Sequence, residues 1–205
     1  HDLARQENVK RLPMSFSQER LWFLDQVVPG STVSSISAAM RRKGLLDVEV
    51  LQESLTRLVQ RHEALRTTFG TMEEQLVQVI TPSLTLPIVV RDLREMPRAE
   101  QQDQVQYLAT EQAQQPFLLS QGPLLRCMLL HLADEQSLLL LTLHRIICDD
   151  WSSEVLMRDL AGLYEACARA QASSFPPLFS QYADVAQEQR KRLTEESLQE
   201  HLTYW

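Results

Sequence analysis

The chain has 205 residues, 44% of them hydrophobic, enough for one sizeable core or two small ones. Its formal net charge is −7, and its one basic cluster, Arg190-Lys191-Arg192, lies on a mostly acidic stretch, which argues against nucleic-acid binding. No apolar run approaches the ~18 residues of a membrane span, and no secretory leader pattern opens the sequence. Cys127, Cys148 and Cys167 show neither CxxC nor Cys/His spacing. This argues against a metal site and a disulfide framework, and leads us to expect buried, reduced thiols in a cytoplasmic protein.

Residues 1–12 are polar and read as a linker or an expression remnant. Ser15 or Ser17 then caps a predicted helix carrying Leu21, Trp22, Leu24 and Asp25. Val33 to Arg42 alternates in part, as a strand does. From Asp47 a helix is predicted, with Val48, Leu51, Leu55, Leu58, Val59 and His62 on one face. It ends in Arg61-His62-Glu63, where His62 and Glu63 read as a helix terminus and Arg66 as the start of a strand. Gly70 and Met72 to Glu74 form a turn into a hairpin partner, Gln75 to Ile80. Leu86 to Val90 is another short strand.

Arg98 to Gln115 is predicted as a Gln-rich helix with Val105, Leu108 and Ala109 inward and a solvated polar side. Leu124 to Leu132 and Leu138 to Leu143 are apolar strands around the turn Ala133 to Gln136. A further helix runs from Ser152 to about Ala170, burying Val155, Leu156, Leu160, Leu163, Tyr164 and Cys167. Residues 173–178, with Ser173-Ser174-Phe175-Pro176-Pro177, read as a linker. Residues 179–205 are predicted to be helical.

The chemistry concentrates in Leu138 to Ser152, LLLLTLHRIICDDWS. The leucine run fits a strand buried on both faces. It delivers His144, Arg145, Asp149 and Asp150 to a short segment before a helix whose N-cap is predicted at Ser152 or Ser153. Polar groups at a strand-to-helix handover occupy the usual crevice position of an α/β sheet.

This stretch, with Trp151-Ser152, resembles the HHxxxDG motif of the condensation domains of nonribosomal peptide synthetases, except that Arg145 replaces the second His and Asp150 the Gly. Three further signatures resemble those of the family, in the family's order. The first is carried by Ser15, Gln18, Arg20, Leu21, Trp22 and Leu24. The second runs over Arg61, His62, Glu63, Leu65, Arg66, Thr67 and Phe69. In the last, Tyr182 and Asp184 match and Val185 replaces an aromatic residue.

The resemblance implies an α/β fold, a chloramphenicol-acetyltransferase-like lobe with a mixed β-sheet flanked by helices, over residues 13–172. Residues 179–205 would begin the connection to a missing C-terminal lobe, so that the chain is an excised N-terminal lobe or a natural half-domain. It also implies no bound cofactor or metal, a carrier-protein phosphopantetheine arm bringing the substrate, and a peptidyl carrier protein and the C-terminal lobe as partners. The form HRxxxDD resembles the X domain of glycopeptide-antibiotic synthetases, which recruits cytochrome P450 enzymes as tailoring partners.

In the family the second His is credited with helping amide formation. An imidazole can share a proton at neutral pH, whereas the Arg145 guanidinium stays protonated and can only donate hydrogen bonds. Losing a base costs about 10²- to 10⁴-fold. His144 is expected to be buried and structural, and Asp149 to hold the loop by pairing with Arg20, Arg66 or Arg145. An Arg145–Asp149/Asp150 cluster closing as a salt-bridge plug is a further expectation. Three functions stay open: a non-catalytic docking or recruiting domain, an active condensation domain that tolerates Arg145, and an inactive spacer. An acyltransferase unrelated to carrier proteins would want HxxxD, whose His position is Arg145 here.

Overall fold

The computed structural model describes residues 9–171 and 175–192. A four-stranded mixed sheet organises the molecule. Its strands are β2 (Ser35–Lys43), β5 (Ile88–Asp92), β6 (Leu125–Ala133) and β7 (Gln136–His144), in the order β2-β7-β6-β5. The pairs β2–β7 and β6–β7 are antiparallel, and β5–β6 is parallel. Three further strands, β1 (Lys10–Pro13), β3 (Thr67–Met72) and β4 (Gln75–Ile80), form a separate antiparallel sheet in the order β1-β4-β3.

The leucine run is why β7 lies at the centre. Every residue of β7 after Gln136 is buried. Leu139, Leu141 and Leu143 face one core with Leu125, Cys127 and Leu129 of β6, while Leu138 and Leu140 face another with Met128 and Leu130. This is the period-2 alternation of a strand covered on both sides. The first core is roofed by helices α2 (Val48–Arg61) and α4 (Asp150–Ala168), through Leu51, Leu55, Leu58, Leu156, Leu160 and Leu163. The second is covered by α3 (Arg98–Gln114) through Val105, Leu108 and Ala109. Each such leucine stabilises the fold by about 2 kcal/mol through burial.

Local chemistry sets the boundaries. Helix α1 (Phe16–Val27) starts in a capping box, in which Ser15 Oγ accepts the Gln18 amide and Gln18 Oε1 accepts the Ser15 amide. Asp47 caps α2 by accepting the amides of Glu49 and Val50. The β3–β4 turn places Glu73 and Glu74 at positive φ, 50° and 66°, the twist a two-residue hairpin requires. Helix α5 (Tyr182–Arg192) closes the described chain.

Several expectations are corrected. The polar start is not all linker, because Lys10 to Pro13 pair with β4; residues 1–8 lie outside the described part. His62 is the C-cap of α2, as expected of a helix terminus, and a 3₁₀ turn at Glu63–Arg66 stands where a strand is expected to start at Arg66. The polar side of α3 is not simply solvated. Gln112 is buried and donates to Thr142 Oγ1, and Gln101 donates to the carbonyls of Leu93 and Leu132. Of the expected linker 173–178, residues 173–174 lie outside the described part, while Pro176 accepts a hydrogen bond from Arg61 and Phe175 packs against the main core. Of the expected helix 179–205, Tyr182–Arg192 is helical and residues 193–205 lie outside the described part.

Candidate functional site

The end of β7 and the start of α4 are joined by Arg145 to Asp149, and this junction forms the candidate site. Helix α4 is capped by Asp149, not by either serine. The Asp149 carboxylate accepts the Ser152 hydroxyl and, at 2.7 Å, the Ser152 amide. These bonds hold its pKa below the ordinary carboxylate value, with the Ser152 hydroxyl the largest cause. The helix dipole also favours a carboxylate at this end.

His144 is the last residue of β7 and is 2% exposed. Its Nδ1 accepts the Ile146 amide at 3.1 Å, and its ring meets Phe117 edge-on at 6.0 Å. Burial pushes its pKa down to about 4. The ring is therefore neutral at pH 7, and because Nδ1 accepts, its proton sits on Nε2. Its Nε2 offers a hydrogen-bond donor, not a base.

Arg145 has its backbone pinned by donation to the Ser34 carbonyl at 2.7 Å, and its side chain is half exposed. The guanidinium lies 3.3 Å from Asp150 Oδ1. Among the described residues the expected cluster closes by direct contact on Asp150, while Asp149 is bonded to Ser152 and acted on by Arg145 only through its charge. An exposed pair of this kind contributes ~0–1 kcal/mol, so it tethers Arg145 weakly.

Among the described residues no arginine makes a direct ion pair with Asp149, although the charge of Arg145 adds a small part to its lowered pKa. Arg66 is held elsewhere, donating to the Thr81 carbonyl and standing 3.5 Å from Glu63. Arg20 is exposed on α1 and makes no ion pair with another described residue.

The other signature residues brace the junction. Gln18 is buried, and its Nε2 donates to the Ile146 carbonyl at 3.5 Å. Ser15 Oγ lies 2.9 Å from the Tyr182 hydroxyl, so that α5 meets the cap of α1. Asp184 accepts the Gln181 amide at 2.9 Å, at the N-terminal end of α5. Gln181 itself accepts the Glu63 amide and donates to the Arg61 carbonyl. Trp151 is largely exposed, at the mouth of a cleft of about 190 Å³ shared with His62, Ile147, Leu156 and Tyr182.

Sequence reasoning missed Asp159. It is buried on α4 and accepts from Arg61 Nε at 3.2 Å and His62 Nε2 at 3.0 Å, with Arg158 at 3.3 Å. Burial raises its pKa, but bonds from His62, Arg61 and Arg158 outweigh that and leave it lowered. Its signal was a carboxylate beside Leu156, Leu160 and Leu163 on the apolar face of α4. Burial also pushes the Cys127 and Cys148 thiols up to about 12, which keeps them unionised. No group of three His, Cys, Asp or Glu suited to a metal occurs among the described residues.

A family model described as a condensation domain matches residues 8–205. The chain is 46% identical over 194 residues to one of the linear gramicidin synthase proteins of Brevibacillus parabrevis, covering 95% of this chain and 4% of that protein. It is 44% identical over 194 residues to phosphinothricin tripeptide synthetase PhsC of Streptomyces viridochromogenes, covering 95% of this chain and 18% of that one. Among solved structures, the starter condensation domain of rhizomide synthetase RzmA superposes with a TM-score of 0.84 at 22% identity, over 95% of this chain and 47% of that one. The X-domain in complex with OxyB from teicoplanin biosynthesis gives 0.77 at 31% identity, over 94% and 40%. The fold is thus the mixed-sheet, chloramphenicol-acetyltransferase-like lobe that the signatures imply. The chain spans a small fraction of the synthetases and less than half of these solved structures' chains.

Proposed function

Because the chain belongs to the condensation domain family of nonribosomal peptide synthetases, we propose that it is a condensation lobe disarmed at its reaction centre, serving carrier-protein docking or recruitment of a tailoring enzyme. One observation carries this reading: where the motif has its second His, Arg145 stands tethered to Asp150 at 3.3 Å. Neither Arg145 nor the neutral His144, whose Nδ1 is taken by the Ile146 amide, can relieve an attacking amine of its proton. Both can donate hydrogen bonds to a carbonyl or an oxyanion, so an electrostatic contribution survives.

The partners in this reading are a peptidyl carrier protein, whose phosphopantetheine arm brings the substrate, the C-terminal lobe of the same domain, and a tailoring enzyme such as a cytochrome P450. The fit to an X-domain solved in complex with OxyB supports recruitment. Three free cysteines suit a cytoplasmic setting. A second reading, an active domain tolerating Arg145, is favoured by the 46% identity to a linear gramicidin synthase protein. A third, an inactive spacer, predicts that deletion leaves the assembly's product unchanged.

The test is a condensation assay by mass spectrometry on the complete two-lobe protein with loaded donor and acceptor carriers. The native sequence runs beside Arg145→His with Asp150→Gly. We expect amide only from the double variant, and amide from the native sequence overturns the disarmed reading. Binding of a tailoring enzyme to the native protein, absent from a deletion of this lobe, distinguishes recruiter from spacer.

A further inference from the structure

A hydrogen-bonded series runs from α5 to the ring of His144. Tyr182 OH meets Ser15 Oγ at 2.9 Å, and Ser15 Oγ accepts the Gln18 amide at 3.2 Å. The Gln18 side chain then accepts the Ser15 amide at 2.9 Å with its oxygen and donates to the Ile146 carbonyl at 3.5 Å with its nitrogen. Ile146 donates its own amide to His144 Nδ1 at 3.1 Å, and Ile147 returns its amide to the His144 carbonyl at 3.1 Å. Gln18 and Ile146 are both 3% exposed, so no bulk water substitutes for these bonds.

We infer that Gln18 is a positioning residue for the motif, holding the His144–Ile147 turn so that His144 keeps its Nε2–H tautomer and Arg145 its place beside Asp150. The reasoning turns on the two ends of one amide. The oxygen is used up in the helix cap, which fixes the side chain; the nitrogen is then the donor that reaches the turn. An unsatisfied buried carbonyl at Ile146 would shift to find another donor, and it would carry the Ile146 amide away from Nδ1. An ordinary amphipathic helix needs no glutamine here, because a capping box accepts Glu at the same position equally well. The inference rests on reading the motif as the reaction centre.

That equivalence supplies the test. Gln18→Glu keeps an oxygen for the Ser15 amide and removes the donor to Ile146. Nitrogen-15 spectra of the full chain, labelled at histidine and along the backbone, would be recorded through a pH titration. With the turn loosened, His144 gains water and loses its amide donor. Its titration midpoint then rises toward the ordinary imidazole value of about 6.5, its Nδ1 signal moves toward the mixed-tautomer position, and the Ile146 amide signal shifts. Tyr182→Phe, which cuts only the far end of the series, should move the same signals less.

Unchanged His144 and Ile146 signals in Gln18→Glu, with or without a fall in melting temperature, overturn the inference and leave Gln18 as a helix cap only. Exchange of the Gln18 side-chain amide protons in the unaltered protein decides the matter should the variant not fold. Slow exchange supports the bond to Ile146, and exchange at the solvent rate overturns it. These signals do not depend on turnover, so silence in the condensation assay would not touch them.

Discussion

Two of the carboxylate–cation sites on helix α4 differ chiefly in burial. Near its start the side chains of Asp150 and Arg145 are 76% and 46% exposed, with one guanidinium nitrogen 3.3 and 3.4 Å from the two carboxylate oxygens. Farther along, Asp159 is 2% exposed and is shared by Arg61, His62 and Arg158. In water-like surroundings a pair contributes little, whereas a buried carboxylate stripped of its partners is costly. The difference separates two jobs. Asp159 ties the end of α2 to α4 and thereby holds one roof of the sheet, while Arg145 and Asp150 can change identity without cost to the fold.

The sharpest way to break that comparison is Asp159→Ala. It should cost about 3 kcal/mol in urea unfolding, the low end for a broken buried pair, because Arg61 and His62 partly reach solvent. A cost below that of an exposed pair would erase the distinction.

His144 should give a pH dependence of similar size. Its folded pKa, about 4, lies below the unfolded value of about 6.5, so its contribution is complete above pH 6.5. It is lost as pH falls toward 4, by up to about 3 kcal/mol. His62 acts in the same direction, since burial lowers its pKa despite the opposing pull of Asp159. Unfolding free energies from pH 8 to pH 4 check this, and His144→Gln should flatten most of the slope.

Ser15→Ala removes the cap of α1 and the contact to Tyr182, and should cost about 1 kcal/mol by thermal unfolding. Arg145→Ala should change stability by less than about 0.5 kcal/mol in thermal unfolding, and added salt should shrink the change further. A larger loss would mean that the Arg145–Asp150 contact belongs with the buried site after all.

Much of the fold was legible in the residue pattern. The leucines of β7, the periodic apolar face of α2 and the hairpin β6–β7 follow from short-range spacing, and the four ordered signatures led to the condensation family. The candidate residues were legible as a set. Their relations were not. The cap proved to be Asp149 and not Ser152 or Ser153, Asp149 found a helix terminus in place of a direct arginine pair, and Arg145 contacted Asp150. Spacing along a chain does not report which of several nearby donors reaches a carboxylate first.

The sequence by itself determined which segments bury their faces, where helix α2 begins, and that the motif's second position carries a guanidinium in place of an imidazole. Those are properties of side-chain type and local period. Tertiary structure decided that Asp159 is a buried anchor, that Gln112 is a core residue on a polar helix, and that Gln18 reaches Ile146 across 128 positions of chain. Such contacts depend on how sheets and helices stack. That stacking also set the His144 tautomer, because the folded turn places the Ile146 amide beside Nδ1 and leaves the ring proton to Nε2.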